Sequence, residues 1–280
     1  MKTKRGNVQT LEGKSLAGRI ALVTGGGNGI GKHIALTLAR EGADIVICGR
    51  DGSALQKTGQ EIILGFGVSV FFHPLDATKL EEVQSFFREI VAPLGRLDIL
   101  VNNIGWVDTI IPFEELTDEL WYRAFEFNVM TTVRFCREAI PWLEQSKHAN
   151  IVNIASMSAK QVGAWNYHYC AAKAAQVNLS SGLSRHLGKK GIRVNAVCPS
   201  TVKGEGMWER DVPDSARIRG TSLEEAAVHI EKKVRAKTSL NAICVPEDVA
   251  EFVAFLVSDR ARFITGTAVS IDGGGTRSVF

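Results

Sequence analysis

A doubly wound parallel α/β sheet in a single domain is the fold class this sequence predicts, and three observations predict it. Strand-length apolar runs alternate with helical stretches along almost the whole chain. The runs are apolar throughout, with no polar alternation, which is the pattern of strands covered on both faces. No internal repeat or linker divides the 280 residues, a length that can bury one sizeable core.

The elements follow in order. "RIALVTG" opens the sheet as a buried strand, and "GIGKHIALTLAREGA" has helical periodicity that stops at Gly42. "DIVICGR" and "VSVFFHPLD" are further strands, followed by a helix over 79–93. "LDILVNN" leads to a long helical stretch over 117–144 and then to the strand "ANIVNIAS". A helix over 168–188, the strand "IRVNAVCP" and the strand "ITGTAVSIDGG" complete the alternation. Residues 1–17 are polar and read as a loose arm ahead of one domain over 18–280. Residues 203–243 break the rhythm with charged and small residues and one amphipathic helix, "SLEEAAVHIEKKVRAK". Its Leu223, Ala226, Ala227, Ile230 and Val234 recur at three- and four-residue steps. The segment follows the carboxyl end of a strand, where open parallel sheets bind ligands, and is expected to be a mobile helical lid.

Composition excludes several classes. With 45% hydrophobic and 22% charged residues the chain is ordinary globular protein. The formal charge is only +3, and Lys2, Lys4 and Arg5 supply much of it, so no nucleic-acid partner is expected. No run of 18 apolar residues and no apolar leader-like segment occurs, so neither membrane insertion nor export is expected. Cys48, Cys136, Cys170, Cys198 and Cys244 lack CxxC spacing and read as buried thiols of a reduced cytoplasm. The histidines show no ligand spacing, so no metal is expected.

The first motif with chemical meaning is "TGGGNGIG", Thr24 to Gly31, between the first strand and the first helix. Glycines allow a tight turn and a close approach of pyrophosphate to the backbone, and a helix N-terminus presents N–H groups to negative charge. Gly25, Gly27, Asn28, Gly29, Ile30 and Gly31 are therefore candidate cofactor-binding residues. The spacing is TGxxxGxG, and four later motifs agree with it in order. These are "NNIG" at 102–105, Asn128 in "EFNVM", Ser156 thirteen residues before Tyr169, and Tyr169-x-x-x-Lys173.

Together with "RVNAVCP" and "FITGTAVSIDGG", these motifs resemble the short-chain dehydrogenase/reductase family over residues 16–275. The resemblance implies a Rossmann fold, a nicotinamide cofactor and the catalytic residues Asn128, Ser156, Tyr169 and Lys173. Asn128 would hold the lysine and a proton-relaying water. Asp76, ending "FFHPLD", would bond the adenine amine, the alternative being a helix N-cap. Ala77, Asn103, Gly105 and Val202 would also border the cofactor.

Two tyrosines, Tyr167 and Tyr169, compete for the role of acid/base. Residues four apart share a helix face, so Tyr169 neighbours Lys173, whereas Tyr167 has Ala171 at the equivalent place. An adjacent ammonium favours the phenolate and would lower the Tyr169 pKa toward the operating pH. Tyr169 is the expected acid/base, Ser156 the hydrogen-bond donor to the substrate oxygen, and Lys173 a partner of both phenol and nicotinamide ribose.

The second strand ends in Gly49-Arg50 where NAD users carry a carboxylate, which favours NADP over NAD, since arginine can hold a 2′-phosphate. Asp51 adds opposing charge nearby. Ser200 and Gly204 depart from the family's usual glycine and threonine. Trp106, Met157, Trp165, Met207 and Trp208 border the family's substrate cleft and suggest an apolar or ring-bearing secondary alcohol or ketone. A 3-oxoacyl reductase or hydroxyacyl thioester dehydrogenase is the alternative, and a non-catalytic nucleotide sensor is disfavoured by the complete Asn-Ser-Tyr-Lys set. The family resemblance also implies a homo-oligomer, a tetramer or a dimer.

Overall fold

The computed structural model describes residues 14–107, 111–162, 166–204 and 207–277, the side chains of Met207 and Arg210 excepted. Its strands are β1 (Ile20–Thr24), β2 (Asp44–Gly49), β3 (Val70–Pro74), β4 (Ile99–Asn102), β5 (Asn150–Ile154), β6 (Arg193–Pro199) and β7 (Ala268–Ile271). They form one parallel sheet in the order β3-β2-β1-β4-β5-β6-β7, with Leu22 of β1 opposite Val46 and Leu100. Strand order reverses between β1 and β4, which opens a crevice at their carboxyl ends.

Alternate strand residues face opposite layers. Ala21, Val23, Ile45 and Ile47 pack under α1 (Gly29–Arg40), α2 (Gly52–Phe66) and α9 (Pro246–Val257), through Ile34, Leu38, Leu55, Ile62, Val249 and Val253. Leu22, Val46, Leu100 and Ile151 pack the other way, against Phe86 of α3 (Leu80–Phe86), Phe135 of α5 (Thr131–Leu143) and Leu187 of α6 (Tyr167–Leu187). The unbroken apolar strands are thus buried on both faces.

Three features go beyond the sequence reading. α2 and α9 were not assigned from periodicity, although α2 carries both its signals: Asp51 as N-cap and Gly67, at φ 69°, as C-cap. The long stretch over 117–144 is α4 (Asp118–Phe125) and α5 joined by a π turn, Glu126–Met130. The segment after β6 holds two helices instead of one, α7 (Met207–Arg219) and α8 (Leu223–Arg235). α8 starts on a capping box between Ser222 and Glu225.

Residues 1–13 lie outside the described residues. Leu16, within the polar stretch, is fully buried and its N–H donates to Glu41 O at 2.9 Å.

Candidate active site

The loop between β1 and α1 turns on Gly25 and Gly29, whose φ angles of 68° and 60° suit glycine. Gly31 is required by space: a Cβ there would sit 2.2 Å from Gly25 O and 2.4 Å from Asn103 Nδ2. Asn103, just past β4, donates from Nδ2 to Thr24 O at 3.1 Å, and its N–H donates to Thr24 Oγ1 at 2.9 Å. The ends of two adjacent strands are thereby tied around the loop. Asn28 is the N-cap residue of α1 and makes no side-chain cap bond. The first N–H groups of α1 and the positive end of its dipole thus form an anion site.

Beside that loop lies a cavity of about 420 Å³, lined by Gly25, Gly27, Asn28, Arg50, Asp76 and Ala77 among others. The Arg50 guanidinium stands 5.8 Å from the Phe127 ring centroid, a cation–π contact that orients it at the cavity wall. Asp51 is engaged elsewhere: one carboxylate oxygen accepts from Ser53 Oγ and from the N–H groups of Ser53 and Ala54. Those bonds, the Ser53 hydroxyl first, hold its carboxyl below the usual range. Asp76 accepts from the Thr78 hydroxyl at 2.7 Å and the Thr78 N–H at 3.0 Å, and its carboxyl is lowered in turn. The N-cap of α3 is Lys79, so Asp76 is not the helix cap.

A second cavity, of about 950 Å³, shares Asn103, Gly105, Trp106 and Glu209 with the first. Its wall carries Ser156, Tyr169 and Lys173 together with Ile30 and Val202. Ser156 follows β5 and its Oγ accepts from Ser158 N–H at 3.1 Å. Tyr169 and Lys173 come from the first turns of α6, with Lys173 Nζ 5.9 Å from the Tyr169 ring centroid. Tyr167 is not on this wall, and packs edge-on against Phe113 at 5.6 Å.

Asn128 sits in the π turn, fully buried. Its Nδ2 donates to Trp106 O at 2.8 Å and Ala124 O at 2.9 Å, while its Oδ1 accepts from Trp106 N–H at 3.1 Å. These bonds hold the backbone beside Gly105 and do not reach Lys173. The two side chains meet instead at the glycine: a Cβ on Gly105 would lie 3.0 Å from Asn128 Oδ1 and 3.2 Å from Lys173 Nζ.

The electrostatics differ from the sequence expectation. Burial pushes the Tyr169 phenol up to about 12, against a smaller opposing effect of its hydrogen bond with Ser156. Burial also lowers Lys173 to about 8. The amine is itself desolvated, and its N–H groups are aimed at Ile154 O at 2.9 Å and Gln176 Oε1 at 3.1 Å. In the protein alone, loss of water outweighs the attraction between phenolate and ammonium.

The expected substrate residues divide. Trp106 lines both cavities, with the Arg123 guanidinium 4.1 Å from its ring centroid, and Met157 lines the larger one. Trp208 does not line either. It packs with Val212, Ala216 and Ala226 inside the α7–α8 pair, because its large apolar ring is what those two polar helices have to bury. Trp165 and the Met207 side chain lie outside the described residues. In α8, Ala226 is buried and Val234 reaches the larger cavity, but Leu223 is 60% exposed and leaves the expected stripe. Ser200 lines the cavity while its N–H donates to Ile271 O at 3.0 Å. Gly204 has φ 80°, where a threonine would be strained. Sequence reasoning passed over Gln176, Glu209, Lys237 and Arg277. Only Gln176, one turn beyond Lys173 on a helix, had a signal.

Among the described residues no helix is long and apolar enough to cross a membrane, and no group of His, Cys, Asp and Glu is arranged to hold a metal ion.

Comparison with known proteins shows the family. A family profile described as Enoyl-(Acyl carrier protein) reductase matches residues 25–276. D-beta-hydroxybutyrate dehydrogenase of Rhizobium meliloti (strain 1021) is 34% identical over 92% of this chain and 98% of its own. L-sorbose reductase from Gluconobacter frateurii, solved with NADPH and L-sorbose, superposes with a TM-score of 0.88 at 28% identity, over 95% of this chain and 99% of its own. A variant of actinorhodin polyketide ketoreductase, solved with NADPH, gives 0.82 at 31% identity, over 93% and 98% of the two chains. The family profile over residues 25–276, and a relative 34% identical along almost its full length, place this chain in the short-chain dehydrogenase/reductase family of oxidoreductases.

Proposed function

We propose that the protein moves a hydride between NADP(H) and a secondary alcohol or ketone, with Tyr169 as general acid/base. One observation carries the reading: Ser156, Tyr169 and Lys173 share a wall of a cavity that continues into the crevice over the glycine loop. The residues fit a dinucleotide. The uncapped start of α1 suits a pyrophosphate, Asn103 and Gly105 border the passage between the cavities, and Val202 lies on the larger one. Gly49 has ordinary space about its α-carbon and Arg50 stands next to it, which suits a 2′-phosphate. A bound nicotinamide supplies the hydride in reduction and takes it up in oxidation.

The protein's own groups handle the oxygen. Ser156 donates a hydrogen bond to the carbonyl oxygen and Tyr169 gives it a proton as charge develops there. In alcohol oxidation Tyr169 takes that proton back. A phenol raised by burial resists ionising, so a charged Lys173 supports the phenolate at the moment of transfer. Asn128 keeps the Gly105–Trp106 backbone in place, so that the floor between the cavities does not move.

Trp106, Met157, Val162 and Val234 on the larger cavity suit an apolar or ring-bearing substrate. A second reading, an acyl thioester substrate, draws on Lys237 and Arg277. Both line that cavity and neither forms an ion pair among the described residues. Family membership supports a homo-oligomer and a cytoplasmic enzyme, testable by sedimentation velocity and cell fractionation. The central test follows reduced-nicotinamide absorbance with a panel of ketones and 3-oxoacyl thioesters, using NADPH and NADH. Tyr169→Phe should lose roughly 10²-fold or more in turnover and keep cofactor binding, while Tyr167→Phe stays close to the wild type. The opposite ranking of the two variants would reject the acid/base assignment.

A further inference from the structure

Lys173 is held by a buried amide that the mechanism above does not use. Gln176 lies three residues further along α6 and is fully inaccessible to solvent. Its Nε2 donates to Thr132 Oγ1 at 2.9 Å, which leaves Oε1 facing Lys173 Nζ at 3.1 Å. Turned the other way, the amide would aim its N–H groups at an amine that also donates. The lysine end therefore sets the orientation, since the Thr132 hydroxyl can accept or donate.

The backbone that carries the amide is anchored as well. The Gln176 backbone carbonyl accepts from Ser180 Oγ at 2.7 Å, Ser180 Oγ accepts from Asn153 Nδ2 at 2.8 Å, and Asn153 Oδ1 accepts from Asn102 Nδ2 at 2.8 Å. All of these groups are buried, and they run from β4 through β5 to α6 beneath the reacting wall. A leucine of similar size would keep the backbone bond to Ser180 and lose only the contacts to Lys173 and Thr132. These bonds tie the α6 backbone at Gln176 to β5 and β4, although Asn102 Oδ1 at the far end is buried without a partner among the described residues.

We propose that Gln176 is a positioning residue, aiming the Lys173 amino group and stabilising its charged form for proton transfer; this rests on the assignment of Lys173 to the catalytic set. Two protein acceptors, Ile154 O and Gln176 Oε1, occupy two of the three N–H groups of the ammonium, and one is left for the cavity. The titratable groups around the amine are Tyr169 on its own helix and Cys198 from β6, with the uncharged Asn128 across Gly105. None of them supplies a nearby negative charge at neutral pH. Burial lowers Lys173 to about 8 against a smaller opposing effect of Cys198, and the Gln176 Oε1 dipole, 3.1 Å from Nζ, adds to that opposition.

The direct test is an NMR titration of isotope-labelled lysine ε-carbons in the protein without nucleotide, with Lys173→Arg assigning the signal. Gln176→Leu should move the Lys173 midpoint down by about half a pH unit or more, and Gln176→Glu should move it up by about one. Thr132→Val keeps Gln176 but frees the far end of its amide, and should move the midpoint down by less than Q176L. The high-pH limb of kcat/KM for ketone reduction should shift in the same directions, with kcat down about tenfold in Q176L. An unchanged Lys173 midpoint in whichever of these variants fold would overturn the proposal and reduce Gln176 to a space-filler. Midpoints that move as expected in a wild type that reduces no ketone would leave this proposal standing and reject the proposed function instead.

Discussion

Lys173 is buried with Tyr169 half-buried beside it, and each is driven toward its neutral form by the loss of water. Lys173 therefore leaves a signature in stability. Its folded value, about 8, lies below the 10.5 of an ordinary lysine. Between those pH values the unfolded chain binds a proton that the folded chain has released, so stability rises with pH, by on the order of 3 kcal/mol across the window. Lys173→Met removes that contribution. Thermal midpoints at pH 7 and 9.5 should show the wild type gaining on the variant at the higher pH, whereas midpoints that stay parallel would contradict a buried, depressed lysine. Above pH 10 Tyr169 acts in the opposite sense, because its folded value of about 12 exceeds the ordinary 10. At the nucleotide end, Arg50→Ala should weaken NADPH by about 1.5–3 kcal/mol and leave NADH nearly unchanged. Equal losses in titrations with both nucleotides would remove Arg50 from the 2′-phosphate. The identity of these residues was legible, since a four-residue spacing on a helix is enough to pair Tyr169 with Lys173. The direction of the phenol's shift was not, because desolvation depends on what the fold stacks over the pair.

At the scale of elements, the π turn Glu126–Met130 shows how a local irregularity serves the site. The extra residue in that turn breaks the run of α-helix between α4 and α5 where Asn128 lies. From there the amide reaches the Trp106 backbone, which an exposed helix position could not do. Periodicity read 117–144 as one helix, since a single inserted residue hardly disturbs an apolar stripe over that length. The same insensitivity hid α2: three glycines, at 52, 59 and 65, dilute its stripe, although Asp51 and Gly67 mark its ends. Gly105 faces the π turn from the end of β4, and a methyl there would press on both Asn128 and Lys173. Gly105→Ala should fold with an unchanged circular dichroism spectrum and lose roughly 10-fold to 100-fold in kcat/KM, the order expected for small misplacement of reacting groups. Full activity in that variant would show that the glycine gives no more than clearance.

The whole molecule is two tightly packed layers and one loosely attached piece. The clusters on the two faces of the sheet draw on nearly every strand, whereas Trp208, Val212, Ala216 and Ala226 form a small cluster of their own between α7 and α8. Among the described residues, its ends are tied to the rest by the Val202–Cys244 bridge, the Lys203 N–H bond to Cys244 O, the exposed Lys203–Glu231 ion pair and the bonds of Ser239 and Leu240 to Gly274 O and Gly273 O. An exposed ion pair is worth little, and four buried residues remove little apolar surface from water. Yet Glu209, in the first turn of α7, lines both cavities and Val234 of α8 lines the larger one, so this loosely attached piece borders the site at those two points. Segments with few buried contacts open locally at much lower free energy than the core, and enzymes use such segments to close over substrate. Amide hydrogen exchange separates this from a rigid insertion. In the free protein α7 should exchange far faster than α6, whose inner face is buried against the sheet. Adding NADPH together with a reducible ketone should slow α7 and leave α6 as it was. Equal protection of α7 with and without ligands would mean that the two helices are a fixed wall of the cleft, and that substrate enters by another route.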